Sequence, residues 1–149
     1  MSAALHLATL DDLDRLESMV ADYHVFKGIE STEDVRHNSL RPLLEGTPHG
    51  VAYLVGIRRA PVGYIVISFG YSVELGGIDG FIDEFFIRES VRGRGIGGEV
   101  LSSLLPALGQ HGVKALHLEV APDNSNAQRL YSRAGFRLRD GYCLMTRRN

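Results

Sequence analysis

The stretch from Phe81 to Leu101 constrains the fold of this chain more than any other. It reads Phe-Ile-Asp-Glu-Phe-Phe-Ile-Arg-Glu-Ser-Val-Arg-Gly-Arg-Gly-Ile-Gly-Gly-Glu-Val-Leu. An apolar strand, Phe81 to Ile87, runs through a tight turn into a helix expected over Gly95 to Gly109, whose first residues are mostly glycine. A helix N-terminus exposes unpaired N–H groups and the positive end of the dipole, which suits a phosphate or pyrophosphate. Glycines let the backbone come close and take positive φ where a turn demands it. Arg92 and Arg94 add positive charge, so Arg92 to Gly98, with Gly93, Gly95, Ile96 and Gly97 between, reads as an anion cradle.

Two other readings of the same glycines are weaker. Gly93, Gly95 and Gly98 fit G-x-G-x-x-G, and Glu119 lies about where a ribose-binding acid would stand. A dinucleotide-binding half-domain needs more βα units than the 30 residues after Glu119 provide. Its strand is buried on both faces and seldom carries a pair such as Asp83 and Glu84. Close helix–strand packing would explain the glycines but not the paired arginines.

Around this segment the spacing predicts a strand at Leu5 to Ala8, a cap at Thr9 and a helix carrying Leu13, Leu16, Met19, Val20 and Tyr23 that ends before Gly28. Ser31 or Thr32 can cap a second helix through Leu44, broken or bent at Pro42. Val51 to Ile57 and Val62 to Phe69 read as a hairpin, followed by a polar loop from Gly70 to Gly80. Ala115 to Val120 reads as a strand and Asn124 to Ala134 as a helix. Phe136 to Arg147 reads as two short strands turned at Asp140-Gly141. With 149 residues and no linker or repeat, a single domain over 1–149 is expected.

Composition narrows the function classes. A net charge of −2 argues against nucleic acid as the main partner, and no apolar run is long enough to span a bilayer. Met1 to Leu10 lacks an export pattern, and the lone Cys143 excludes an internal disulfide, so a cytoplasmic location is expected, with Cys143 in the core. The six histidines show no metal-ligand spacing, so no metal is expected. Between Arg59 and Arg88 there is no Lys or Arg, while Glu74, Asp79, Asp83 and Glu84 fall there, an acidic stretch beside the basic one.

Arg92-x-x-Gly95-x-Gly97 resembles the R/Q-x-x-G-x-G/A motif of the GCN5-related N-acetyltransferase (GNAT) superfamily. Asn124-Ser-Asn-Ala127-Gln-Arg-Leu-Tyr131-Ser-Arg-Ala-Gly135-Phe136 resembles the second signature of that family, N-x-x-A-x-x-L-Y-x-x-x-G-F. The resemblance covers about 55 residues, Phe81 to Phe136. It implies an α/β (α+β) fold, one mixed and mostly antiparallel sheet of about seven strands flanked by about four helices. It also implies acetyl-CoA as co-substrate and a homodimer. Phe85, Phe86 and Ile87 would offer strand N–H and C=O groups to the pantetheine arm. Arg92 to Gly98 would hold the pyrophosphate, and Asn124 and Ala127 would approach the cofactor; Asn124 also reads as a plain N-cap. The acid–acid–Phe-Phe strand is most similar to that of the diamine acetyltransferases. Tyr23 and His24 match positions that line the acceptor pocket there, although the family residue at His24 is acidic.

The chemistry asks for an acid and a base. Asn124, Ala127 and Tyr131 fall on one helical face, and a phenol is protonated at neutral pH, so Tyr131 can return a proton to the leaving CoA thiolate. The acceptor amine arrives as an ammonium ion and must lose a proton, for which Asp83 and Glu84 are the candidates. Neighbours on a regular strand point to opposite faces, so one of the two is expected at the site, and the resemblance favours Asp83. Glu74 and Asp79 are candidates for selecting a cationic substrate. The expected function is direct transfer of acetyl to a primary amine of a small cationic molecule. A peptide or protein amine is a variant of this, and a non-catalytic acyl-CoA-binding module is the alternative.

Overall fold

The structure is a computed structural model that describes residues 4–149; residues 1–3, part of the N-terminal stretch read above, lie outside the described residues. The chain divides into a unit ending at Glu119 and a second running from Val120 to Asn149.

The first unit is built on a five-stranded sheet in the order β1-β2-β3-β4-β5. Its strands are β1 (Leu5–Leu7), β2 (Gly50–Ile57), β3 (Ala60–Ser72), β4 (Gly77–Ile87) and β5 (Leu116–His117). The first four pair antiparallel in sequence order, and β5 joins β4 in parallel. Helices α1 (Leu13–Lys27) and α2 (Glu33–Gly46) lie between β1 and β2, and α3 (Ile96–Gln110) between β4 and β5.

The α1 stripe buries Leu13, Leu16, Met19 and Val20 as the spacing predicts. It ends at Gly28, whose φ of 70° gives the left-handed cap that residues with a Cβ rarely adopt. Thr32 caps α2 by accepting a hydrogen bond from the Val35 N–H at 3.3 Å, and α2 continues through Pro42 to Gly46. One core cluster joins Leu16 and Met19 of α1, Leu40 and Leu44 of α2, and Leu54, Tyr64, Val66 and Phe86 of the sheet. Ile65 and Ile67, buried and alternating with Tyr64 and Val66 in sequence, face the other side of β3. Burial on both faces explains why β3 reads as an unbroken apolar run.

Three expectations are corrected. Among the described residues the sheet has five strands, not about seven. The segment expected to be a loop from Gly70 to Gly80 is mostly hairpin: β3 and β4 pair from Gly63↔Ile87 to Ser72↔Gly77, leaving only Val73 to Gly76 as the turn. This end of the hairpin is open to solvent, with Tyr71, Val73 and Ile78 all exposed. β5 is also shorter than Ala115 to Val120.

In the second unit, α4 (Ser125–Arg133) begins at Asn124, as expected. The segment Phe136 to Arg147 forms no strands, and Cys143 is exposed rather than buried. Gly141 has φ of 87°, but Asp140 does not share the positive φ that a type I′ turn requires at both positions. An isolated two-stranded hairpin is marginal in water, and Leu138, Tyr142, Leu144 and Met145 are exposed, so no apolar face holds one together. No helix among the described residues is long and apolar enough to cross a membrane.

Candidate functional site

The site is organised by β4, which does three things in eleven residues. It first pairs with β5: Lys114 N–H donates to Ile78 O at 2.8 Å, and Gly80 N–H to Ala115 O at 2.9 Å. The ladder ends at Phe81↔His117. From Ile82 to Ile87, β4 keeps β3 on one side and no strand on the other among the described residues. The edge of β4 turned away from β3 is therefore open to an extended ligand along Phe85 and Phe86, while Ile87 O accepts from Arg92 Nε.

β4 then bulges. Ile67 pairs with Ile82 and Val66 with Glu84, which leaves Asp83 without a partner residue. A bulge breaks strict alternation and re-aims a side chain. The expectation that Asp83 and Glu84 point to opposite faces assumed a regular strand, and the strand is irregular at this point. Asp83 keeps access to solvent, but the protein packed around its carboxyl strips enough water to raise it above the usual range; the charges of Glu84 and Glu119 add to the shift and His24 opposes it. Glu84 is the largely enclosed member. Tyr64 Oη donates to its Oε1 at 2.8 Å, and His24 Nε2 lies 2.7 Å from its Oε2. Tyr64 has no solvent exposure, and burial first, then the Glu84 charge, pushes its phenol far up, so it remains a donor.

An aromatic wall backs this pair. Tyr23 meets Tyr64 and Phe86 edge-on at 6.2 and 6.1 Å. The structure thus brings Tyr23, His24, Glu84 and Phe86 together, with Asp83 beside them. Gly63 makes the close approach of β3 possible, since a Cβ there would stand 2.2 Å from Phe86 O.

Finally β4 leads through a single 3-10 turn, Glu89–Val91, into the glycine loop. Residues 92–95 are exposed, Gly93 and Gly95 have φ of 78° and 79°, and a Cβ on either would meet nothing within 4 Å. This is open space in front of the N-terminus of α3, with Ile96, Gly97 and Gly98 in its first turn and Arg94 exposed at its edge. The residues present fit a pyrophosphate: N–H donors, a helix dipole and room for close approach.

Arg92 departs from expectation. Its Nε donates to Ile87 O at 2.7 Å, and its guanidinium lies over the rings of Phe26 and Phe86 at 4.8 and 5.6 Å. It ties the loop to α1, while the cradle itself is backbone. A cavity of about 310 Å³ opens beside it, lined by Asp22, Phe26, Phe86, Arg88, Glu89, Ser90 and Arg92.

Asp79 and Glu74 do not join this group. Asp79 lies in β4 and meets His117 Nε2 at 3.2 Å, and Glu74 sits in the exposed hairpin turn. Glu17, Glu33 and His37 bring three potential ligand atoms within 4.8 Å of one another, but Arg36 Nε already donates to Glu17 Oε1 at 2.6 Å, so the group is an ion-pair cluster. In the second unit, Asn124 Oδ1 accepts from Ala127 N–H at 3.1 Å, the N-cap reading of that residue. Tyr131 meets Phe136 edge-on at 5.7 Å, and burial raises its phenol.

Tyr64, Ser31 and Arg36 are functional candidates that the spacing did not reveal. Tyr64 reads as one more core residue of an apolar strand, and its partner stands 20 residues away.

Comparison with known proteins places these features. The model of the acetyltransferase (GNAT) family matches residues 13–136. The spermine/spermidine N(1)-acetyltransferase of Bacillus subtilis (strain 168) is 37% identical over 57 residues, a match spanning 38% of either chain. An integron cassette protein from the mobile metagenome of Cole Harbour Salt Marsh superposes with a TM-score of 0.83 at 30% identity, over 97% of this chain and 89% of that one. AAC(6')-Iy, solved in complex with the bisubstrate analog CoA-S-monomethyl-acetylneamine, shares the fold at 13% identity with a TM-score of 0.80, over 100% of both chains.

Proposed function

The chain belongs to the acetyltransferase (GNAT) family, whose members use acetyl-CoA as co-substrate, and from that premise we propose that it transfers acetyl to the primary amine of a small cationic molecule. The observation that carries the acceptor half is the bulge in β4. It sets an exposed, raised carboxyl at Asp83 next to a fixed carboxylate at Glu84, on the strand edge that leads to the glycine loop.

In this reading Glu84 supplies the charge that draws the ammonium, and Asp83 takes its proton, directly or through a water. A carboxyl raised above its ordinary range is a better match to that task than an unperturbed one. The free edge of β4 at Phe85 and Phe86 and the N–H groups of Gly93 to Gly98 hold acetyl-CoA, which supplies the acetyl thioester. Tyr131, whose phenol burial keeps protonated, returns a proton to the departing thiolate. The polyamine activity named for the Bacillus subtilis relative supports a cationic acceptor. An amine of a peptide or protein would use the same chemistry.

The test is CoA release on mixing the full chain with acetyl-CoA and a panel of polyamines, diamines, thialysine, free amino acids, aminoglycosides and short lysine peptides. Turnover with a cationic amine is the expected result. Tight acetyl-CoA binding with silence across the panel would overturn the acceptor assignment and favour a binding module.

A further inference from the structure

Behind Glu84 runs a chain of hydrogen bonds that reaches the turn between α1 and α2. His24 Nδ1 lies 2.7 Å from Ser31 Oγ. Arg36 Nη1 donates to Ser31 Oγ at 3.0 Å and to Ser31 O at 2.7 Å, while its Nε donates to Glu17 at 2.6 Å. The ends of this chain are fixed, because a guanidinium only donates and an ionised carboxylate only accepts. Arg36 gives a hydrogen to Ser31 Oγ, and Glu84 can only accept, so the ring donates Nε2–H to Glu84 Oε2. At Nδ1 a neutral ring takes the Ser31 hydroxyl hydrogen and a charged ring donates to the same oxygen, so Ser31 holds the ring in either state. The contacts run unbroken from α2 through the turn and α1 to β4.

A carboxylate held only for stability would need no such chain, since Tyr64 already satisfies one oxygen and Oε2 lies at the edge of the core. The second donor fixes the carboxylate plane, and it does so next to the bulge that frees Asp83. We propose that His24, held by Ser31 and Arg36, is a positioning residue of the acceptor site, which fixes the Glu84 carboxylate where the ammonium docks beside Asp83. His24 touches neither substrate and acts only through Glu84. The proposal rests on the reading of Asp83 and Glu84 as the acceptor-side carboxylates.

The experiment is steady-state kinetics of the full chain with acetyl-CoA and the fastest amine of the panel, for His24→Leu, His24→Gln, Glu84→Gln and the double variant His24→Leu/Glu84→Gln. His24→Leu is expected to lower kcat/KM for the amine by about 10- to 100-fold, the range that misplacement of a site group costs. The dissociation constant for acetyl-CoA should not move. His24→Gln, whose amide N–H stands near the Nε2–H it replaces, should recover most of the rate and shows that any loss in the leucine variant is not misfolding. The double variant should be no slower than Glu84→Gln alone. Wild-type rates in His24→Leu, or losses that multiply in the double variant, overturn the proposal. Wild-type rates in Glu84→Gln and Asp83→Asn would instead bring down the underlying acceptor reading, a result distinguishable from a slow Glu84→Gln beside an intact His24→Leu.

Discussion

Tyr64 and Glu84 are joined by a 2.8 Å hydrogen bond whose donor has no contact with solvent. A fully buried hydroxyl must find a partner, and this one finds a carboxylate, so the bond is charge-assisted. Removing the hydroxyl while leaving the carboxylate costs more than a neutral hydrogen bond. Tyr64→Phe is expected to lose about 1.5–3 kcal/mol of stability, measured by urea unfolding at neutral pH. It should also slow the amine reaction without weakening acetyl-CoA binding. A loss below about 0.5 kcal/mol would mean that Glu84 finds another donor when Tyr64 is cut back.

Asp83 titrates above the usual carboxylate range because of burial first, then repulsion from Glu84. As the base it must be ionised, so the acid limb of kcat/KM should lie above that range. Glu84→Gln removes the repulsion and should move the limb to lower pH, though it also slows the reaction. The sign for stability is the reverse of the usual carboxylate case. A folded pKa above the unfolded value means that ionisation of Asp83 disfavours the fold as pH rises through that range. Asp83→Asn should therefore raise the thermal midpoint at neutral pH while lowering activity. A fall in both would show that the Asp83 charge is compensated in the folded state.

Gly95 separates the cradle from the scaffold. Its φ of 79° is costly for a residue with a Cβ, yet the Cβ would meet no protein atom within 4 Å. Gly95→Ala should cost about 1–2 kcal/mol from the left-handed backbone alone. The methyl group would stand in the space where the phosphates approach, so calorimetric titration should show a larger loss, about 10-fold or more in acetyl-CoA affinity. Unchanged affinity would remove the loop from the cofactor site.

Away from the site, Asp12 anchors the start of α1. Its carboxylate takes Arg58 Nη2 at 2.9 Å, Arg15 Nη2 at 3.0 Å and the Thr9 N–H at 2.9 Å. Burial pushes its pKa up, but Arg58, the Thr9 amide and Arg15 outweigh it and bring the value down to about 2. A depressed folded pKa contributes stability above the unfolded value of about 4, which is lost as pH falls toward the folded one. Both guanidinium groups are partly exposed, so solvent screening trims the full linkage of roughly 2.5 kcal/mol toward 1–2 kcal/mol. Urea unfolding should show wild type losing that much relative to Asp12→Asn on acidification, and parallel curves would refute the assignment.

What could be read from residues alone follows from how local each signal is. The glycine loop, the α1 stripe, the Thr32 cap and the Asn124 cap rest on neighbours within four positions, and each formed where its pattern lay. The β4 bulge was invisible because alternation arguments presume a regular ladder, and the irregularity depends on how Val66 and Ile67 meet the strand. Tyr64 and Glu84 stand 20 residues apart and His24 and Glu84 60 apart, so no spacing rule joins them. The Phe136 to Arg147 segment shows the converse: its composition favours strands, but strands exist only as pairs with something to cover.

Tyr131 carries the proposed acid role and offers the sharpest separation of enzyme from binding module. Burial raises its phenol, so it holds its proton across the working range and has it to give as negative charge builds on the departing sulfur. Tyr131→Phe keeps the ring and its edge-on contact with Phe136, so folding should be nearly unchanged. Acetyl-CoA affinity should hold as well. Turnover should fall by about 100-fold or more, the usual worth of a positioned general acid. If the loss comes from the leaving thiolate, an acetyl donor with a more acidic thiol should recover part of the rate in the variant. A phenylalanine variant as fast as wild type would remove Tyr131 from the mechanism and hand the proton to water.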